Sequence, residues 1–175
     1  QLQKFSKDFD FAVEEIPEQD INDVAVSSTK IRNAILCGDV KTANDFLGYH
    51  FHLTGKVIKG DQIGRSLGYA TANLFVEEIY KLIPADGIYA VNVQIPFSDR
   101  AKTFNGMAYI GHRPTINGMT HNIEVNIFDF NQDIYGSTIR INFLDFVRSD
   151  QKFSSLDELK DQLAKDEKAV RSILV

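Results

Sequence analysis

Five short runs rich in β-formers, divided by turn residues rather than by helix-length periodic segments, constrain this chain more than any other feature. The cleanest is Gly87-Ile88-Tyr89-Ala90-Val91-Asn92-Val93-Gln94-Ile95, where apolar and polar residues alternate. Residues 51–58 come before it. Residues 102–110 follow a polar turn at Ser98-Asp99-Arg100, residues 122–130 follow Asn117-Gly118, and residues 137–147 follow Tyr135-Gly136. Turns of this kind join antiparallel neighbours, whereas a parallel pair needs a long crossover. An open sheet of such strands would leave exposed edges, and closure removes them. The expectation is a mainly β fold, a Greek-key-like antiparallel barrel of about six strands.

Helical signals flank the strands. Ser155-Leu156-Asp157-Glu158 has the form of a capping box, and Leu156, Leu159, Leu163, Val170 and Ile173 recur at helical spacing. A C-terminal helix packed on the barrel follows. Near the other end, Ser27-Ser28-Thr29 supplies N-cap hydroxyls and Gly38 a stop, and residues 40–47 suit a second short helix ended by Gly48. Phe9-Asp10-Phe11-Ala12-Val13 alternates and predicts a strand, broken at Ile16-Pro17. The division expected is 1–48, charged and partly helical, and 49–175, the barrel with its helix.

A chain of 175 residues, 43% hydrophobic, can bury one sizeable core. Its net charge of −5 argues against a general nucleic-acid binder, which carries a basic face. No run has the length of a membrane span. The single cysteine, Cys37, rules out an internal disulfide and fits a cytoplasmic setting. Residue 1 is Gln, and the expectation is a piece of a longer protein. His50, His52, His112 and His121 show no metal-ligand spacing with Cys37.

The segment richest in chemistry is Gly60-Asp61-Gln62-Ile63-Gly64-Arg65-Ser66-Leu67-Gly68-Tyr69-Ala70-Thr71-Ala72-Asn73. Gly60, Gly64 and Gly68 leave backbone N–H groups bare and permit positive φ, which suits a phosphate cradle. Arg65 offers a planar fork of donors. Thr71 and Asn73 share a face if the chain is extended, and their neutral oxygens suit Mg²⁺ balanced by nucleotide phosphates. A Gly-rich hairpin with a polar end explains the same residues equally well. Glu124 sits among apolar residues in Asn122-Ile123-Glu124-Val125-Asn126-Ile127-Phe128-Asp129-Phe130. It reads either as a general base or, by the usual exposure of Glu, as a solvated charge.

These residues resemble a known family. The glycine segment is similar to the G-x-x-x-G-R-x-L-G-x-P-T-A-N signature of riboflavin kinases, with Ala70 where that family usually has proline. Residues 123–130 with Tyr135-Gly136 resemble the strand that carries the family's catalytic glutamate. Gly111-His112-Arg113-Pro114-Thr115 resembles its G-x-R-P-T loop. Arg148-Ser149-Asp150-Gln151-Lys152-Phe153 resembles its R-x-E-x-x-F element, with Asp150 in place of Glu. Val26-Ser27-Ser28-Thr29-Lys30-Ile31-Arg32 resembles the S-S-T-x-I-R element of the nucleotidyltransferase domain in bifunctional riboflavin kinase/FAD synthetases, whose H-x-G-H element is not in this sequence.

The resemblance implies a riboflavin kinase that makes FMN and ADP from riboflavin and ATP with Mg²⁺. Its sites follow by position. Glu124 is the base, and Gly60, Gly64, Arg65 and Gly68 form the phosphate loop. Thr71 and Asn73 hold the metal and nucleotide, and Arg113, Thr115, Arg148 and Asp150 lie on the flavin side. It also implies that residues 1–48 are the end of an FMN adenylyltransferase domain. The departures Ala70 and Asp150 keep a non-catalytic flavin- or nucleotide-binding barrel as the alternative.

Overall fold

The computed structural model describes residues 2–14, 20–21, 24–60, 63–95, 102–115 and 118–174, with backbone only at 8, 20, 24, 63, 113–115 and 118–120. In chain order the elements are α1 (Leu2–Phe9), β1 (Asp20–Ile21), β2 (Val24–Ala25), α2 (Ser28–Leu36), α3 (Val40–Leu47), β3 (His52–Ile58), α4 (Ile63–Ser66), β4 (Thr71–Phe75), β5 (Gly87–Ile95), β6 (Lys102–Thr115), β7 (Gly118–Ile127), β8 (Thr138–Ser149) and α5 (Leu156–Ile173).

Six strands close into a barrel in the order β3-β4-β7-β6-β5-β8, every pair antiparallel. Within it β5, β6 and β7 form a meander and β8 returns beside β5, which is the Greek-key order. Period-two alternation sends one set of side chains inward. Leu53, Val57, Leu74, Val91, Val93, Ile110, Ile123, Val125, Ile139, Ile141 and Phe143 make up most of that interior. The five strands expected for the barrel are therefore present, although the one expected at 122–130 begins at Gly118 and ends at Ile127. One more was not expected from residue pattern: β4, whose Thr71-Ala72-Asn73-Leu74-Phe75 places only two apolar residues inward.

The barrel has a second apolar layer outside. Ile88, Ala90, Met107, Phe128 and Val170 cluster with Tyr109, Leu144, Val147, Leu163 and Leu174, so α5 covers the outer face of β5, β6 and β8. The stripe predicted for α5 is only half right. Val170 is fully buried, but Leu156 is 59% and Ile173 40% exposed, and the other buried residue of this helix is Asp166. The helix is pinned there by a forked ion pair, with Arg148 Nε 2.9 Å from Asp166 Oδ1 and Nη2 2.7 Å from Oδ2. At its start Ser155 accepts from the Glu158 amide, but Glu158 bonds to Ser154 rather than closing the box on Ser155.

Helix α2 begins at the expected cap, Ser27, and α3, capped by Asp39, ends at the expected Gly48. They are packed into the barrel. Ile35, Val40 and Ala43 belong to the same buried cluster as the inward strand residues. Asn44 of α3 clamps two strands, its Nδ2 donating to Phe143 O (2.9 Å) and its Oδ1 accepting from Phe51 N (2.6 Å). The strand expected at 9–13 is not formed: α1 ends at Phe9 and residues 11–14 are irregular. Phe5 and Phe9, one turn apart, put their rings 6.4 Å from each other, a contact that favours helix over extended chain. No helix among the described residues is long and apolar enough to cross a membrane.

The Asn44 clamp yields a stability prediction. Asn44→Ala strands a buried backbone donor and acceptor, which costs about 1–3 kcal/mol. Urea unfolding followed by fluorescence and by far-UV circular dichroism is expected to show a lower midpoint with both probes still coincident. A separate early transition for residues 28–47 would show that these helices are not part of the barrel's cooperative unit.

Candidate active site

The β4–β7 pairing assembles the polar residues singled out in the sequence. Its register sets Thr71 opposite Asn126, Ala72 opposite Val125 and Asn73 opposite Glu124. Because Ala72 and Val125 point into the core, Thr71, Asn73, Glu124 and Asn126 all stand on the outer face. Glu124 is also paired with Tyr109 on β6. A row Asn73–Glu124–Tyr109 therefore runs across three strands on one face.

Hydrogen bonds orient the carboxylate in that row. Thr71 Oγ1 donates to Glu124 Oε2 at 3.1 Å and Asn122 Nδ2 donates to Oε1 at 2.7 Å. Tyr109 continues the row, its hydroxyl donating to Asp150 Oδ2 at 3.3 Å just past β8. Burial first, then the Asp150 carboxylate, pushes the Tyr109 phenol up to about 12. Tyr89, deeper in the barrel and donating to Ala85 O, is raised further for the same leading reason. Asn122 and Tyr109 were not singled out from sequence. Their role depends on cross-strand register, which no local pattern announces.

The glycine segment meets the row from one side. Part of it is helical: α4 is a single turn closed by Tyr69 N–H to Gly64 O (2.8 Å) and ended at Gly68, whose φ of 91° favours glycine. Gly60 lies so close to the Asn73 amide that any Cβ there would overlap it. Ala70, at the position where proline was expected, uses its carbonyl to hold Asn126 Nδ2 (2.8 Å). Beside Arg65 and Thr71 opens a cleft of about 370 Å³, whose far wall is Phe130, Asp133, Ile134 and Tyr135. In the sequence Phe130 ends the run 122–130 and Tyr135-Gly136 is a turn, whereas Asp133 and Ile134 of that wall carry no signal.

The flavin-side residues fare differently. Asp150 is in contact with the row through Tyr109. Arg148 is held by Asp166 and by its own bond to Ser149 O, so its guanidinium fastens α5. Arg113 and Thr115 belong to β6, opposite Thr120 and Gly118, with side chains outside the described residues. Asp61 and Gln62 of the glycine segment likewise lie outside the described residues.

Residues 47–174 match the flavokinase family, riboflavin kinase. The chain belongs to the riboflavin kinase family. Over 165 residues it is 39% identical to a bifunctional riboflavin kinase/FMN adenylyltransferase of Haemophilus influenzae, covering 94% of this chain and 52% of that protein. The Bacillus subtilis protein of the same description is 39% identical over 163 residues, 91% of this chain and 49% of its own length. The chain thus spans about half the length of these relatives. A solved structure from Streptococcus pneumoniae, described as a macrolide-efflux protein, superposes with a TM-score of 0.87 at 41% identity, over 97% of this chain and 54% of that one. As a riboflavin kinase domain, the barrel carries Thr71, Asn73 and Glu124 on the outer face of β4 and β7, with Ala72 and Val125 turned inward.

The raised tyrosines give a pH prediction. Their folded pKa values lie above the ordinary value near 10, so the folded state holds protons that the unfolded state has lost. The stability this confers is complete below about pH 10 and drains as pH rises through the folded values. Urea midpoints are expected to fall from about pH 10 upward, and Tyr109→Phe to flatten that fall. An unchanged slope in the variant would mean Tyr109 titrates normally.

Proposed function

We propose that the outer face of β4, β6 and β7 transfers the γ-phosphoryl group of ATP to the 5′-hydroxyl of riboflavin, giving FMN and ADP. One observation carries the proposal: Glu124 is held by Thr71 and Asn122 between Asn73 and Tyr109, and Thr71 also lines the cleft that Arg65 lines. Phosphoryl transfer asks for positioning and charge neutralisation more than for covalent chemistry. The O5′–H bond of riboflavin breaks as O5′ attacks the γ-phosphorus, Glu124 takes the proton, and the β–γ bridging oxygen leaves with ADP. Thr71 and Asn122 aim the carboxylate by donating to it. The Gly60, Gly64 and Gly68 backbone and Arg65 face the nucleotide phosphates. Tyr109 and Asp150, with Arg113 and Thr115, form the flavin side.

The donor set beside Glu124 is entirely oxygen and amide, the hard chemistry that Mg²⁺ prefers. Thr71 and Asn73 would hold that ion, and it would neutralise charge on the phosphates. The family likeness of Val26–Arg32 supports reading residues 1–48 as the end of an FMN adenylyltransferase domain, and the bifunctional descriptions of the relatives support a second activity for the whole protein. By the same likeness the protein works in the cytoplasm.

Glu124→Gln keeps shape and removes the base. Turnover of riboflavin with Mg-ATP, read as FMN by chromatography, is expected to fall by roughly two to four orders of magnitude with nucleotide affinity little changed. Turnover near that of the wild type would remove Glu124 from the mechanism. Nucleotide and flavin binding with no FMN from the wild-type chain would favour the non-catalytic barrel.

A further inference from the structure

The barrel carries a second side-chain cluster that the kinase reading does not use. Asp86 immediately precedes β5, His112 lies on β6 and His121 on β7. The β6–β7 register sets His112 directly opposite His121, with ring centroids 4.2 Å apart. Gly87 pairs with Ile110, which brings Asp86 to the same end of the sheet. His112 Nδ1 is 2.5 Å from Asp86 Oδ2, and His121 Nδ1 is 4.0 Å from Asp86 Oδ1. One ligand atom from each residue falls within 4.8 Å of the other two.

Asp86 supplies the independent clue. Its Oδ1 is buried and has no hydrogen-bond partner among the described residues. A buried carboxylate oxygen facing an imidazole and left without a donor is costly, and a cation or its bound water would satisfy it. The three side chains are each about one-third exposed, at 32–39%, so an ion from solvent can reach them.

We propose that Asp86, His112 and His121 form a binding site for a Zn²⁺-class divalent cation. Two imidazole nitrogens and one carboxylate are the ligands such an ion takes, with a fourth position left to water. Tetrahedral bonds of about 2.0–2.1 Å put ligand atoms roughly 3.3 Å apart, so the present spacings need only small side-chain rotations. Nitrogen ligands disfavour Mg²⁺, which separates this site from the oxygen set at Thr71 and Asn73. An ion here would tie the start of β5 to the β6–β7 hairpin, one residue before Arg113. No local pattern reveals it, because the ligands are 26 and 9 positions apart and meet only across strands.

The test is a Zn²⁺ titration of the whole chain against a chromophoric chelator, in millimolar Mg²⁺, with Co²⁺ absorption in the visible as a second reading. One equivalent bound is expected, with a Co²⁺ spectrum of low coordination number and a raised melting temperature. His112→Ala, His121→Ala and Asp86→Ala should each weaken binding at least about tenfold, while His50→Ala and His52→Ala leave it unchanged. Each variant's far-UV spectrum and melting curve without metal establish that it is folded. No stoichiometric Zn²⁺ uptake by the wild-type chain, or uptake that survives all three substitutions in folded variants, would overturn the site.

Discussion

The antiparallel seam between β4 and β7 is the contact on which the functional face depends. It is short, three register pairs from Thr71–Asn126 to Asn73–Glu124. One-residue slippage would turn Thr71, Asn73 and Glu124 into the lumen and Ala72 and Val125 out to solvent. The apolar lumen therefore fixes the register, and the register in turn fixes the polar face. The Thr71–Glu124 hydrogen bond reports that register directly. In this sense core packing and site geometry are one constraint: burial of Ala72, Leu74, Ile123 and Val125 decides where the carboxylate stands.

The outer layer supports the same face from the other side. Tyr109 belongs both to the Glu124 row and to the apolar cluster under α5. Arg148 and Asp166 fasten α5 over that cluster, and Asp150, two residues after Arg148, meets the Tyr109 hydroxyl. Gln162 adds a further donor to Asp166 Oδ1 at 2.8 Å, so the buried carboxylate is satisfied by three nitrogens from two side chains. A buried ion pair of this kind contributes modestly to net stability, because desolvation offsets attraction, but losing one partner is expensive. Its main effect is to set where the helix sits.

Legibility from the sequence followed the range of the interaction. The strands at 87–95, 102–110 and 137–147, the caps at Ser27 and Ser155, and the stop at Gly48 rest on local pattern, and all are found. The barrel itself was legible because turns without crossovers leave few alternatives. The strand at 9–13 failed because five alternating residues carry little weight against the helical Phe5–Phe9 spacing. The apolar stripe of α5 was misjudged because Asp166, a charged residue, occupies a buried position that only its distant partner Arg148 explains. Asn122, Tyr109 and the Asp86–His112–His121 cluster are products of cross-strand register. For Glu124 and Thr71 the family resemblance supplied what pattern could not, and their closeness adds a physical reason to group them.

If the β4–β7 seam builds one catalytic unit, Thr71 and Glu124 must act together. A double-mutant cycle on kcat/KM for FMN formation, using Thr71→Ala, Glu124→Gln and both, measures this directly. The account predicts coupling: Thr71→Ala should cost clearly less in the Glu124→Gln background than in the wild type, because the part of its effect that comes from aiming the carboxylate is already lost and only its part in holding the ion remains. Losses that multiply independently would contradict it, and would separate the hydroxyl from the work of the carboxylate.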